Sequence, residues 1–235
     1  KTLILIDGHA LAFRQYYALE RTGMKNSENQ PTWAVYGFFK AIFDLLARIK
    51  PDFIAVTFDV GRQTFRVEKY EEYKANREAM PDTLRSQIGI IVEGLKAFDI
   101  PIYTKEGFEA DDILGTLSTL GNDNIQVYIL TGDRDSYQLV NEHVNVLYLS
   151  TKETLTIDEN AVMEKYGVKP RDLIEVKALM GDTSDNIPGV KGIGEKTAVG
   201  LVQKYGTVEN LYAKLPEEEK NIAKGVYAKL EADKE

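Results

Sequence analysis

Ile125-Gln126-Val127-Tyr128-Ile129-Leu130-Thr131-Gly132-Asp133-Arg134-Asp135 is the stretch on which the fold turns. Residues 125–130 are apolar, β-rich and short, and read as a buried strand. The strand runs out through Gly132 into two acids, Asp133 and Asp135. The same design recurs upstream. Residues 3–7 read as a strand ending in Asp7, and residues 53–59 as one ending in Asp59. A third strand, 100–104, precedes a helix that opens with Glu109, Asp111 and Asp112. Amphipathic stretches at 33–49, 84–98 and 111–120 lie between the strands. Such alternation predicts an α/β fold, a mostly parallel central sheet flanked by helices. Residues 144–149 and 153–157 add a short hairpin at the sheet edge. Ligands of such sheets bind beyond the carboxyl ends of the strands, which is where every one of these acids falls.

Gathering so many anions at one edge costs several kcal/mol unless something compensates. A helix N-terminus near Glu109 offsets only ~0.3–1 kcal/mol per carboxylate. Bound dications suffice, and oxygen-only ligands point to Mg²⁺ or Mn²⁺ rather than zinc. Two or more such ions on a phosphate would activate a water and clamp the leaving oxygen. A single Asp at a strand end is ordinarily a helix cap or turn residue. Four acidic strand ends in one sheet are poorly explained that way.

Composition bounds the chemistry further. The 235 residues are 43% hydrophobic and 28% charged, with no cysteine and two histidines, His9 and His143. Disulfides, thiolate zinc sites and His-rich metal sites are therefore excluded. No apolar run approaches the ~20 residues of a membrane span, and a reducing cytoplasm is the expected location. The net charge of −8 argues against a nucleic-acid partner only if the acids are evenly spread; two dications, +4, bring −8 to −4.

After residue 158 the pattern turns helical, at 160–166, 170–180, 195–205, 208–215 and 218–230. The organisation expected is an α/β core over 1–157 and a helical subdomain over 158–235. Residues 61–80 form a polar excursion containing Arg62, Arg66, Lys69, Tyr70, Tyr73, Lys74 and Arg77. Cations interleaved with aromatics suit a single-stranded nucleic acid, although a charge run is often only a solvated face. In the helical part, Met180-Gly181-Asp182-Thr183-Ser184-Asp185-Asn186-Ile187-Pro188-Gly189-Val190-Lys191-Gly192-Ile193-Gly194-Glu195-Lys196-Thr197-Ala198 carries two more acids and a glycine-rich turn opening a helix. It is not a nucleotide P-loop, because Glu195 follows Gly194 where that motif needs Lys. Nor is it a dinucleotide fingerprint, because Thr197 replaces the third small residue and no strand precedes it. What remains is a hairpin-like grip on a DNA backbone, or a plain joint between helices.

With these residues in view, the chain resembles the 5′ nuclease domain of bacterial DNA polymerase I, within the flap endonuclease superfamily. The resemblance is carried by Leu5-Ile6-Asp7-Gly8, Tyr73-Lys74-Ala75-Asn76-Arg77, Glu109-Ala110-Asp111-Asp112, Thr131-Gly132-Asp133-Arg134-Asp135 and Gly181-Asp182-Thr183-Ser184-Asp185-Asn186-Ile187-Pro188-Gly189, in the family's order. It implies a PIN-like flap endonuclease fold with a helical arch near 61–81 and a C-terminal helix–three-turn–helix subdomain. It implies metal ligands at Asp7, Asp59, Glu109, Asp111, Asp112, Asp133, Asp135, Asp182 and Asp185, with Asp133, Asp135 and Asp185 on the companion ion. Lys74 and Arg77 match arch cations at the scissile phosphate, and with Asp7 and Asp111 make up the catalytic set. Duplex backbone contacts fall to Lys191, Gly192, Ile193, Gly194 and Lys196, with K⁺ at the turn. Arg62 and Arg66 join Lys74 and Arg77 on the DNA side. The expected partner is 5′-flap, frayed or gapped DNA and the expected state a monomer. Glu78-Ala79 before Met80-Pro81 departs from the family's proline-rich turn. A start at Lys1 leaves open a fragment of a longer polymerase or a trimmed free-standing nuclease.

Overall fold

The computed structural model describes residues 1–150 and 153–233. The chain forms two compact units, Lys1–Phe65 with Glu78–Asp158, and Arg66–Arg77 with Glu159–Glu235.

The first unit is built on a six-stranded sheet. Its strands are β1 (Thr2–Asp7), β2 (Phe53–Thr57), β3 (Ile102–Tyr103), β4 (Gln126–Thr131), β5 (Val144–Leu149) and β6 (Thr154–Ile157). Their order is β3-β2-β1-β4-β5-β6. All pairings are parallel except β5 with β6, the antiparallel edge. β1 is central, and its Leu3 to Ile6 are buried, as expected for a parallel strand covered on both faces. Its register sets Ile6 beside Val56 on one side and Leu130 on the other. The ends of β1, β2 and β4 are thereby level.

Helices α1 (Gly8–Leu19), α2 (Trp33–Ile49), α4 (Asp82–Ala97) and α5 (Ala110–Ser118) belong to this unit. α2 buries Trp33, Ala34, Gly37, Phe38, Ile42 and Leu45, one stripe at helical spacing. It ends at Lys50, whose left-handed conformation closes the last turn before Pro51. α4 buries Leu84, Gln87, Ile91 and Leu95 at the same spacing. Helices α1, α2 and α4 share one core with the sheet.

In the second unit, α6 (Glu159–Tyr166), α7 (Leu173–Met180), α8 (Glu195–Tyr205), α9 (Val208–Lys214) and α10 (Lys224–Ala232) enclose a separate core around Val176, Leu179, Ala198, Leu211, Leu215 and Leu230. Of the expected range 158–235, residues 234 and 235 lie outside the described residues.

Four expectations are corrected. Helix α1 was not anticipated; its signal is Asp7, an N-cap whose carboxylate accepts from Ala10 N at 2.9 Å. β3 has two residues rather than the five of 100–104, because Pro101 has no amide to donate and the strand lies at the edge. α10 starts at Lys224, not at 218: Glu218 is held at 2.8 Å by Lys204 Nζ and at 2.7 Å by the Tyr205 hydroxyl. The excursion expected as an arch near 61–81 contains one short helix, α3 (Phe65–Lys69), followed by i→i+3 turns at Tyr73, Ala75 and Arg77. Its residues Arg66–Arg77 pack within the second unit.

Candidate functional site

In the first unit the acids stand at the carboxyl edge of the parallel strands, in two hydrogen-bonded groups. Asp7 closes β1; its Oδ1 caps α1, and its Oδ2 accepts from Thr131 Oγ1 at 2.9 Å. Thr131 Oγ1 in turn accepts from the amide of Asp133 at 3.0 Å, and Asp133 Oδ1 from the amide of Asp135 at 2.9 Å. Asp7 is 7% exposed. Burial raises its pKa, the Ala10 and Thr131 hydrogen bonds oppose the rise, and the charge of Asp59 adds to it. Burial and a like charge both disfavour the anion.

The second group surrounds the N-terminus of α5. Asp59 Oδ1 accepts from Ala110 N at 2.6 Å, and its Oδ2 lies 3.3 Å from His9 Nδ1. Glu109 caps the helix in a reciprocal box with Asp112, whose Oδ2 accepts from Glu109 N at 2.8 Å. Asp111 occupies the first turn between them. Seven expected carboxylates are thus gathered at one end of the sheet by short-range bonds. Among the described residues, no three of these seven bring oxygens within 4.8 Å of one another. The oxygens of Asp7, Asp59, Glu109, Asp112 and Asp133 turn instead to helix-start amides, so capping and clustering occur in the same residues.

Asp182 and Asp185 sit in the second unit, on a tight turn between α7 and α8. Asp182 pairs backbone to backbone with Ile187 at 2.8 Å in both directions. A Cβ on Gly181 or Gly189 would run into the backbone of the other, so the two strands of the turn touch through their glycines. Asp182 accepts from Lys177 Nζ at 2.6 Å and from the Ser184 hydroxyl and amide at 2.6 and 2.9 Å. Burial pushes its pKa up, but these donors outweigh burial and hold it at about 2.

Residues of the excursion pack on the same turn. Asp185 accepts from Arg77 Nη2 at 2.5 Å and from the Tyr73 hydroxyl at 3.2 Å, with Lys74 Nζ at 3.9 Å. Lys74 N–H donates to Asp185 O, Asn76 Nδ2 to Thr183 O and Asn186 Nδ2 to Glu72 O, at 2.9, 2.9 and 2.8 Å. Lys74 and Arg77 therefore answer a carboxylate here. Arg66 lies in α3, within the same unit, and Arg62 is an exposed residue of the first unit.

The glycine-rich turn reaches α8 through Gly194, its N-cap. Ile193 is 4% exposed and roots the turn in the core, and its amide donates to Val190 O at 2.9 Å. Lys191, Gly192, Gly194 and Lys196 are exposed; of the first-turn amides of α8, that of Thr197 donates to Gly194 O at 3.0 Å, and those of Glu195 and Lys196 come too early in the helix for an intrahelical acceptor. Lys229 Nζ donates to Gly192 O at 2.7 Å. Thr131, Lys177 and Lys229 are the residues here that the sequence reading did not assign. Thr131 and Lys229 act on site residues 124 and 37 positions away, which only the fold reveals, whereas Lys177 is five residues from Asp182.

Residues 2–167 match the 5′-3′ exonuclease N-terminal resolvase-like domain, and residues 168–235 the 5′-3′ exonuclease C-terminal SAM fold. DNA polymerase I of Caldicellulosiruptor bescii is 44% identical over 238 residues, covering 99% of this chain and 27% of that protein. DNA polymerase I of Mycobacterium bovis is 46% identical over 213 residues, covering 89% of this chain and 24% of that one. The chain thus spans about a quarter of the length of these curated relatives. Among solved structures, T5 5′-exonuclease with bound divalent zinc superposes with a TM-score of 0.74 at 26% identity, over 92% of this chain and 80% of that one. A bacteriophage T5 flap endonuclease in complex with DNA and metal ions gives 0.73 at 26% identity, over 92% and 79%. Flap endonuclease-1 of Methanococcus jannaschii, 22% identical with a TM-score of 0.60 over 89% and 72%, shares the fold.

Proposed function

Because this chain belongs to the 5′-3′ exonuclease family, we propose that it is a divalent-metal-dependent, structure-specific 5′ nuclease that hydrolyses phosphodiester bonds in 5′-flap or 5′-ended DNA. The observation that carries the proposal is the meeting of Asp7, Asp59, Glu109, Asp111, Asp112, Asp133 and Asp135 at the carboxyl edge of one sheet. The donor set fits hard dications: it is all carboxylate, from a chain without cysteine. These seven residues, with Asp182 and Asp185 from the turn before α8, are the proposed holders of Mg²⁺ or Mn²⁺. When bound, such ions supply Lewis-acid stabilisation of a phosphate's charge and lower the pKa of a coordinated water.

The chain's own groups do the rest. Asp7 and Asp133 are oriented by one hydroxyl, that of Thr131. Lys74 and Arg77, cations already placed against an anion at Asp185, are the proposed donors to the scissile phosphate. Arg62 and Arg66 are proposed contacts for the unpaired strand. The Gly192–Gly194 turn, with Lys191 and Lys196, is proposed to grip the duplex backbone through amides and cations. Gly192 O already accepts from Lys229, so K⁺ at this turn would rest on its other carbonyls.

The test is digestion of matched 5′-flap DNA, single-stranded RNA and a small phosphate ester, with and without EDTA. Cleavage of the flap alone, abolished by EDTA, is the expected result. Asp111→Asn should lower flap cleavage by orders of magnitude while circular dichroism stays unchanged. Full activity in that variant sinks the assignment of Asp111.

A further inference from the structure

Lys229 lies on α10, thirty-seven residues beyond the turn it touches. It is exposed, yet its ammonium is fixed: Nζ donates to Gly192 O at 2.7 Å. The lysine stem runs over the Gly192 Cα. A Cβ built there would sit 2.9 Å from Nζ and 3.1 Å from Cε. Gly192 has φ +81°, so the glycine both permits the turn's backbone and clears the path of the lysine. An ammonium has three N–H donors, and the carbonyl takes one. Among the described residues no carboxylate pairs with Lys229. Its charge is thus held beside the exposed backbone of Gly192 with two donors left for an anion.

We infer that Lys229 is a nucleic-acid-binding residue, the third cation of the glycine-rich turn, and that it contacts a backbone phosphate of duplex DNA bound there. This rests on the duplex-binding reading of the turn. The turn's own sequence supplies Lys191 and Lys196; α10 supplies a cation from outside the motif, pre-positioned by a carbonyl so that little side-chain freedom is lost on binding. An anchored cation of this kind adds affinity without base preference.

The experiment is fluorescence anisotropy with a fluorescein-labelled 5′-flap duplex in EDTA, across roughly 50–200 mM KCl, where phosphate contacts dominate the salt dependence. Lys229→Met should weaken binding several-fold and make the slope of log K against log salt shallower by about 0.9, the loss of one phosphate contact. Lys229→Arg should keep the slope. A full slope in Lys229→Met, with or without weaker binding, overturns the inference, because a residue that only braces the turn releases no counterion. Lys191→Met, measured alongside, separates the two readings. If it loses about 0.9 of slope while Lys229→Met loses none, Lys229 alone is wrong. If the unmodified protein shows no salt-dependent binding, the duplex reading fails with it.

Discussion

Thr131 joins two strand ends with a single oxygen. It donates to Asp7 Oδ2 and accepts from the Asp133 amide, and it is fully buried. Thr131→Val keeps the shape and removes both bonds, leaving a buried carboxylate oxygen and an amide without partners. The expected loss is about 1–3 kcal/mol, read by urea denaturation, with Thr131→Ser close to the parent. Equal stability of the valine variant would show that water replaces the hydroxyl. The acids themselves were legible in the sequence because each follows an apolar run, as in Ile129-Leu130-Thr131-Gly132-Asp133. Thr131 was not legible as their organiser. A threonine ending a strand is ordinary β preference, and its partner Asp7 is 124 residues away, brought near only by the β1–β4 register.

At the scale of elements, helices with a clean apolar stripe were readable to the residue, as in α2 and α8. Elements set by tertiary contacts were not. Residues 218–223 continue a helical pattern, yet Glu218 is drawn to Lys204 and Tyr205 of α8. The hydrogen bonds from Lys204, then Tyr205, hold the Glu218 carboxyl below its usual 4.5. A carboxyl lowered by folding contributes stability above its unfolded value, and that contribution is lost as pH falls through its folded value. Glu218→Gln should therefore melt below the parent at neutral pH, with the gap closing between 4.5 and the lower folded value. A gap of constant size down to about pH 3 would contradict the linkage. The turn between α7 and α8 makes a harsher demand. Gly189→Ala would push a methyl into Gly181 and the end of α7. The expected cost is about 3 kcal/mol by thermal unfolding, together with displacement of Asp182 and Asp185.

For the whole molecule, a net charge of −8 with seven acids at one sheet edge makes stability depend on cations. MgCl₂ should raise the melting temperature; at a hundred times Kd the gain is about 2.7 kcal/mol. EDTA should reverse the gain, and Asp111→Asn should blunt it. A melting temperature indifferent to Mg²⁺ up to tens of Kd for cleavage would argue that the ions do not reside on the free protein. The division into two units was only partly legible: the helical turn near 158 was plain, but nothing in residues 66–77 announces that they pack with a segment 107 to 114 residues later. The polypeptide therefore passes between the units three times. On the ribosome, at roughly 5–20 residues per second, Tyr73 and Arg77 emerge on the order of 5–20 s before Asp185 exists to receive them. The helical unit cannot close around its own early strand until synthesis has gone well past the sheet, so its assembly is a late, long-loop event even though one of its segments is among the first made.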